Sequence, residues 1–310
     1  MDYTGEERQG FYIRPMMKRW WAVSLDIVKE IGDICAKYNI RWFIDSGTLL
    51  GAVREHGFIP WDDDMDIILL RQDYERFIRI IPNELPEGWV LKNTRHDDEH
   101  GEAVLRVCNT DNNFIDMNEL SRYHGCPYQV GIDIFALDNV PDDPDECELQ
   151  RALATIIVDS IKAARSSDLF DDLEPGIAER LAELEEAFGI KLKRDMPIKP
   201  QLFALLDQTS AMYYDVDTKR VANMMFFCTD PKQAVSRQAY DSTVYLKFEH
   251  LSLPAPSGYD DVLTSYYGND YMTPVNEHIY HDYPCFGKLE AYLKQQYEER
   301  GLEFPQEFAE

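Results

Sequence analysis

No two of the six cysteines, Cys35, Cys108, Cys126, Cys147, Cys228 and Cys285, form a CxxC pair. That removes the spacing of a zinc ribbon, and such scatter does not suggest a disulfide framework. Basic residues are scarce: 31 Lys and Arg stand against 57 Asp and Glu, a net charge of -26. Such a surface repels a phosphate backbone, so nucleic acid is not expected as a partner. The plain use of the charge is solubility. No apolar run approaches the roughly 20 residues of a membrane span. The first residues, MDYTGEERQGF, are polar and acidic, unlike a signal peptide. There is no internal repeat and no low-complexity tract. The chain is therefore expected to be cytoplasmic. Its 310 residues, 45% hydrophobic and 12% aromatic, suffice for a sizeable core, as one large domain or a core with an extension.

What is present concentrates between Arg41 and Leu70, RWFIDSGTLLGAVREHGFIPWDDDMDIILL. A short apolar strand is expected from Arg41 to Asp45. The chain then turns through Ser46, Gly47 and Thr48 into a brief helix. A Gly-Phe-Ile-Pro corner follows at Gly57 to Pro60. The acids after it run into Ile67, Ile68, Leu69 and Leu70, which read as a buried strand. Alternate side chains of a strand share a face, so Asp62, Asp64 and Asp66 are expected to point the same way. Three carboxylates on one face repel, and a hard divalent cation between them relieves that repulsion.

Residues 1 to 13 read as a loose arm. A long helix is expected from Pro15 to Tyr38, with Trp21, Leu25, Val28, Ile31 and Cys35 at helical spacing. Arg14, Lys18, Arg19, Trp20 and Trp21 at its start suit either the surface of a membrane holding a lipid-linked acceptor or an ordinary core contact. A second helix is expected from Gln72 to Ile81, stopped by Pro82. Short strands follow at Trp89 to Leu91, Ala103 to Asn109, Phe114 to Met117 and Gln129 to Leu137. In the last, Asp133 interrupts an apolar run. A lone buried carboxylate there needs either an arginine partner or a share in the metal site, and the metal site is preferred. LDNVPDDPDECE, from Leu137 to Glu148, reads as a linker and helix start. Helical patterns cover Pro144 to Lys162, Ile177 to Phe188 and Pro200 to Cys228. Residues 238 to 253 look extended. A short helix ending at Tyr267-Gly268, a polar aromatic tail with His278 and His281, and a last helix from Lys288 to Arg300 close the chain.

An Asp-x-Asp pair, a third carboxylate on a neighbouring strand and a Gly-polar turn at a helix start suit phosphoryl-type transfer. The acids hold one or two Mg²⁺ (or Mn²⁺), which neutralise phosphate oxygens and align the attacking hydroxyl. The amides of Gly47 and Thr48 can hold phosphate at the helix N-terminus. Arg54, two turns on, offers either a cationic donor to phosphate or a plain salt bridge. A cation such as Arg106 is the alternative partner for Asp133. Arg106 stands with Gly47, Thr48 and Arg54 among the candidate ligand-binding residues.

The stretch DSGTLLGAVREHGFIPWDDDMDI resembles the signature of the LicD family, and the resemblance continues in GIDIFALDNVP and YYGNDYMTP. That family includes phosphocholine transferases of teichoic acid and lipopolysaccharide and is related to the fukutin-type ribitol-phosphate transferases. The resemblance implies a nucleotidyltransferase-like α/β (α+β) fold with a mixed sheet. It implies transfer of phosphocholine from CDP-choline, or of another phospho-alcohol from its CDP-alcohol, to a hydroxyl of a glycan or lipid-linked sugar, releasing CMP. By position it makes Asp64 and Asp66 the metal pair and Asp62 the acid before it. Asp133 becomes the third carboxylate and the candidate base. Two departures are Ala136, where proline is frequent, and Glu55-His56, where a lysine is expected. The expected organisation is a catalytic core over 14–140, a helical insertion over 141–237 and a C-terminal segment, 238–310, returning to the site. Peripheral contact with the inner face of the membrane goes with a lipid-linked acceptor.

Two other readings use the same acids. Asp62, Asp64, Asp66 and Asp73 fall at positions 1, 3, 5 and 12 of a calcium loop, but Ile67 stands where that loop needs glycine. A nucleotidyltransferase adding NMP to a small molecule or protein needs the same carboxylates and fold. Trp61, Tyr123, Tyr128, Tyr266, Tyr267, Tyr271 and Tyr280 are candidate walls for a quaternary ammonium. The residues do not separate choline from ethanolamine, glycerol or ribitol.

Overall fold

The computed structural model describes residues 2–93, 105–165, 168–275 and 284–309. His278, Tyr280, His281 and the first two residues of the expected strand at 103–109 lie outside them. The N-terminal arm is not loose: β1 (Glu6–Arg8) and β2 (Phe11–Ile13) form an antiparallel hairpin. Pro15 then starts α1 (Pro15–Lys37), where its missing N–H costs nothing. Asn39, at φ 50°, ends the helix in the left-handed region that asparagine tolerates.

The following elements are β3 (Phe43–Ile44), α2 (Ser46–Arg54), β4 (Asp66–Leu70), α3 (Arg71–Ile80), β5 (Val90–Lys92), β6 (Leu105–Cys108) and β7 (Gly131–Val140). They build a mixed sheet in the order β3-β4-β7-β6-β5. β4 and β7 run parallel with Asp66 opposite Asp133, and β6 runs antiparallel to β7 with Arg106 opposite Asp133. Two expected strands shrink. β3 keeps only Phe43 and Ile44, because Asp45 already caps α2. Phe114 to Met117 makes no strand, only the single bridge Phe114–Tyr128.

The next segment contains α4 (Pro144–Ala163), α5 (Pro175–Phe188) and α6 (Ile198–Ser210). Asp143 caps α4 by accepting the amides of Asp145 and Glu146. The helix expected from Pro200 to Cys228 does not persist. It stops at Ser210, and the chain forms β8 (Arg220–Ala222), the short α7 (Met224–Phe227) and β9 (Val235–Ser236). β8 pairs with the far end of β7, Asp138 to Val140. The pairing supplies ladder bonds that isolated helical propensity cannot match. Apolar side chains gather in two clusters. One joins α1, the central sheet and the C-terminal elements, and the other joins α4 to α7. The chain closes with the hairpin β10 (Thr243–Phe248) and β11 (Leu251–Pro256), then α8 (Tyr259–Tyr267), α9 (Gly287–Glu299) and α10 (Gln306–Ala309). Among the described residues no helix is long and apolar enough to cross a membrane.

Two buried charge groups fasten this frame. Arg71 donates to both oxygens of Asp138, at 2.6 and 2.8 Å, and to Asp207 at 2.7 Å, joining α3, β7 and α6. The Arg71 and Asp138 side chains are 4% and 3% exposed. Removing one partner strands the other, so Arg71→Met is expected to cost about 3–5 kcal/mol in urea denaturation, while adding Asp138→Leu recovers most of the loss. Glu185, at the end of α5, accepts both Nη atoms of Arg194 at 2.8 Å and the Leu192 amide at 2.6 Å. Arg194 first, with the Leu192 amide and Lys191, holds its carboxyl down at about 2. A folded value below the unfolded one, about 4.3, gives stability that is complete above the unfolded value and lost as pH falls toward the folded one. Glu185→Gln should therefore lower Tm at pH 7, and the gap should narrow in melts taken stepwise from pH 5 to pH 3.

Candidate active site

Asp62, Asp63 and Asp64 do not continue β4. They form an irregular turn between the Pro60 corner and Asp66, where strand pairing begins. The expectation of one strand face carrying Asp62, Asp64 and Asp66 is corrected accordingly. The turn brings acids closer than a strand would, since alternate strand residues stand about 6.5–7 Å apart. Among the described residues, Asp62, Asp63 and Asp64 offer ligand oxygens that all lie within 4.8 Å of one another.

The turn is held from behind. Trp20 and Trp21, on α1, donate their indole N–H groups to the carbonyls of Asp63 (2.7 Å) and Asp62 (3.0 Å). Trp21 stacks on Phe58 of the corner at 4.6 Å. These two tryptophans are thus core residues that position the acids, 8% and 0% exposed, and do not face a membrane. Asp63 is buried, and its Oδ2 accepts the Cys285 amide at 2.5 Å.

α2 fixes the other side. The Asp66 amide donates to Thr48 Oγ1 at 2.8 Å, and the Asp45 amide donates to the Asp66 carbonyl at 3.1 Å. Thr48 is buried, its hydroxyl oxygen accepts the Asp66 amide, and it is not among the residues that line the cavity. Gly47 does reach the cavity. A Cβ there would stand 2.5 Å from Asp62 Oδ2, so only glycine lets the helix start and that carboxylate meet. Ser46 beside it sits at φ 47°, a strained backbone for a residue with a side chain. Burial raises the Asp45 carboxyl to about 6 against the opposing bonds from Ser46, and its Oδ1 has no hydrogen-bond partner among the described residues.

Asp62, Asp64, Asp66 and Asp133 line one cavity of about 570 Å³. Asp133 also takes the arginine partner that was posed as the alternative. Arg106 donates through Nε to Oδ1 and, at 2.9 Å, through Nη2 to Oδ2. Both roles are compatible because Arg106 approaches from β6. Gly131 opens its path: a Cβ there would stand 2.6 Å from Arg106 Cδ. Arg54 also lines the cavity, but it binds Glu55 Oε1 at 2.7 Å and the Tyr271 carbonyl at 3.3 Å. It ties the C-terminal segment to α2.

The crowding is electrostatically costly. Desolvation first, then the charges of Asp64 and Asp63, push the Asp62 carboxyl well above its usual range. Desolvation, then Asp64, Asp133, Asp62 and Asp45, does the same to Asp66. An all-oxygen set of this kind fits a hard divalent cation such as Mg²⁺ or Mn²⁺. Asp62 and Asp64 from the turn, with Asp66 and Asp133 from the strands, are the residues that would hold it.

The cavity wall is aromatic. Trp61, Tyr266, Tyr267 and Tyr271 line it, joined by Phe135, Phe226, Gln233 and Asp270. Tyr123 and Tyr128 do not: both are buried in the core, where Tyr128 stacks on Phe286 at 5.1 Å. Phe226 and Gln233 gave no sequence signal, since a phenylalanine in an MMFF run reads as core.

Residues 39–136 match the family described as LicD/FKTN/FKRP, nucleotidyltransferase domain. The span holds the glycine turn, the acidic turn, Arg106 and Asp133. Residues 39–136 are a LicD-family domain. The chain is also similar to the lipopolysaccharide cholinephosphotransferase LicD of Haemophilus influenzae, with 26% identity over 273 residues, 81% of this chain and 89% of that protein. An uncharacterized protein of Rickettsia typhi is 41% identical over 87 residues, 28% of each chain. One of Rickettsia prowazekii is 40% identical over 75 residues. The LicD match ends at residue 136, so the domain carries the acids while Phe226, Gln233 and Tyr266 to Val275 reach the cavity from outside it.

Gly47→Ala is expected to displace the Asp62 carboxylate and weaken cation binding by about tenfold or more, as lost supporting contacts do at metal sites. Titration with Mn²⁺ followed by electron paramagnetic resonance, beside a thermal melt, separates that loss from unfolding. Unchanged affinity would show that Asp62 is not a ligand.

Proposed function

We propose that this protein transfers phosphocholine, or a related phospho-alcohol, from a CDP-alcohol to a hydroxyl of a cell-surface glycan precursor, releasing CMP. The observation that carries the reading is the cavity itself. Four aspartates from two distant stretches meet there beside a glycine turn and under an aromatic wall. The similarity to the Haemophilus cholinephosphotransferase supports the choice of phospho-alcohol and of a lipopolysaccharide-type acceptor.

A divalent cation, when bound, would neutralise diphosphate oxygens and lower the barrier to P–O cleavage. The protein's own residues do the rest. Gly47 presents its amide at the start of α2, where the helix dipole favours the CMP phosphate. The acceptor hydroxyl oxygen attacks the phosphorus that bears the alcohol. The new P–O bond forms as the bond to CMP breaks, and CMP leaves with that electron pair. The proton of the acceptor hydroxyl passes to Asp133. Arg106, in two-point contact, keeps the oxygens of Asp133 oriented. Trp61, Tyr266, Tyr267 and Tyr271 above the acids suit a quaternary ammonium, which ring faces attract.

The test is a panel of CDP-choline, CDP-ethanolamine, CDP-glycerol and CDP-ribitol with Mg²⁺ and a glycan acceptor, reading CMP. Release of CMP with one donor supports transfer. Release of pyrophosphate from an NTP, without CMP from any donor, would replace this reading with nucleotidyl transfer. Asp66→Asn or Asp64→Asn should reduce turnover by at least about 10²-fold, since lost charge stabilisation in a water-poor site costs that much. The variants should stay folded, because neutralising one member relieves the repulsion. Near wild-type turnover in either would sink the assignment.

A further inference from the structure

Large apolar side chains left exposed on a surface are normal when scattered. Here three of them, Phe226, Tyr267 and Val275, converge on the one cavity from separate stretches of chain. Phe226 belongs to α7, outside the LicD match. Its neighbours Met224 and Phe227 are buried in the second apolar cluster, and the Asn223 side chain caps the helix by accepting the Met225 amide at 3.1 Å. That anchoring holds Phe226 outward, 42% exposed, with its ring 6.2 Å from that of Phe135. Phe135 stands two residues beyond Asp133 on the same face of β7, about 6.5–7 Å along the strand.

The sheet order gives this pair a direction. The glycine turn follows β3, Asp66 begins β4, and Asp133 and Phe135 lie on β7. The turn therefore lies on the β3 side of Asp66, and Phe135 lies on the β7 side, in the same strand as Asp133. In-line displacement requires the entering and leaving oxygens to lie on opposite sides of phosphorus. With CMP at the turn, the acceptor enters from β7.

We propose that Phe135 and Phe226 form the platform for the acceptor, a pyranose ring lying with its C–H face on the two rings and one hydroxyl at Asp133. This rests on the reading of phospho-alcohol transfer given above. The apolar face of a sugar presents weakly positive C–H hydrogens to the negative face of an aromatic ring, while its rim stays polar. Gln233, from the same stretch as Phe226, also lines the cavity and can meet rim hydroxyls. The 141–237 segment thus selects the acceptor.

Phe226→Ala in the full chain should raise the KM for the acceptor by about fivefold to tenfold, the value of one or two aromatic contacts. The KM for the CDP-alcohol should stay within twofold, and Phe226→Tyr should restore the acceptor KM. A raised donor KM with an unmoved acceptor KM would hand the platform to the nucleotide base and overturn the proposal, as would no change in either. Saturation-transfer NMR with methyl galactoside and methyl N-acetylglucosaminide gives a readout that needs no turnover. Signal in the wild type that falls in Phe226→Ala supports the platform even if no CDP-alcohol is used. Absence of signal in the wild type, or equal signal in both, overturns it whatever the donor panel shows.

Discussion

Repulsion among the carboxylates at 62, 64 and 66 is the constraint to which the surrounding structure answers. Most of the ties that hold this turn are made to its backbone: indole N–H groups donate to the carbonyls of Asp62 and Asp63, and the Thr48 hydroxyl oxygen accepts the amide of Asp66. Neutral partners of this kind fix geometry without cancelling charge. The carboxylates facing the cavity keep their mutual repulsion, which adds to desolvation, the larger cause, in raising Asp62 and Asp66. A site built in this way keeps part of its folding energy in a form that a cation can release.

β7 shows how exposure decides what an ion pair is for. Asp133 and Asp138 are five residues apart and so point to opposite faces. Both take arginine in two-point contact. Arg71 with Asp138 is closed off from solvent and joins three elements, which makes it a fastening. Arg106 with Asp133 is 34% and 14% exposed and borders the cavity, so a ligand can reach it. A Coulomb pair within reach of water can be rearranged at modest cost, whereas the buried one cannot.

The sequence disclosed the parts of this site whose chemistry is local. Asp64 and Asp66 stood out as an Asp-x-Asp pair leading into an apolar strand, Asp133 because it interrupts an apolar run, and Gly47 because it lies in the turn that opens a helix. The helices α1, α3 and α4 were readable from period and from end signals such as Asn39 and Pro82. What stayed hidden depends on partners distant in the chain. Trp20 and Trp21 suited a core contact or a membrane surface, and nothing local announced that their indoles would hold the carbonyls of Asp63 and Asp62. Thr48 was readable only as an amide at a helix start, because nothing in its neighbourhood announced that the Asp66 amide would donate to its hydroxyl. Arg220 to Ala222 sat inside a helical pattern, and only its pairing with β7 made it a strand.

That last element has the widest consequence for the cavity. Three residue pairs, Asp138 with Ala222, Asn139 with Val221 and Val140 with Arg220, bring the returning chain to the sheet. α7 follows directly, so the position of Phe226 beside Phe135 is set by the register of β8 on β7. The segment that supplies this wall packs mainly in its own apolar cluster, apart from the one that supports α1 and the acidic turn. Sequence changes there can reshape the wall while leaving the carboxylates where they are, because contacts that are not shared transmit little strain. β7 joins the acids to the wall, with Asp133 near one end of the strand, Phe135 two residues on, and β8 at the other.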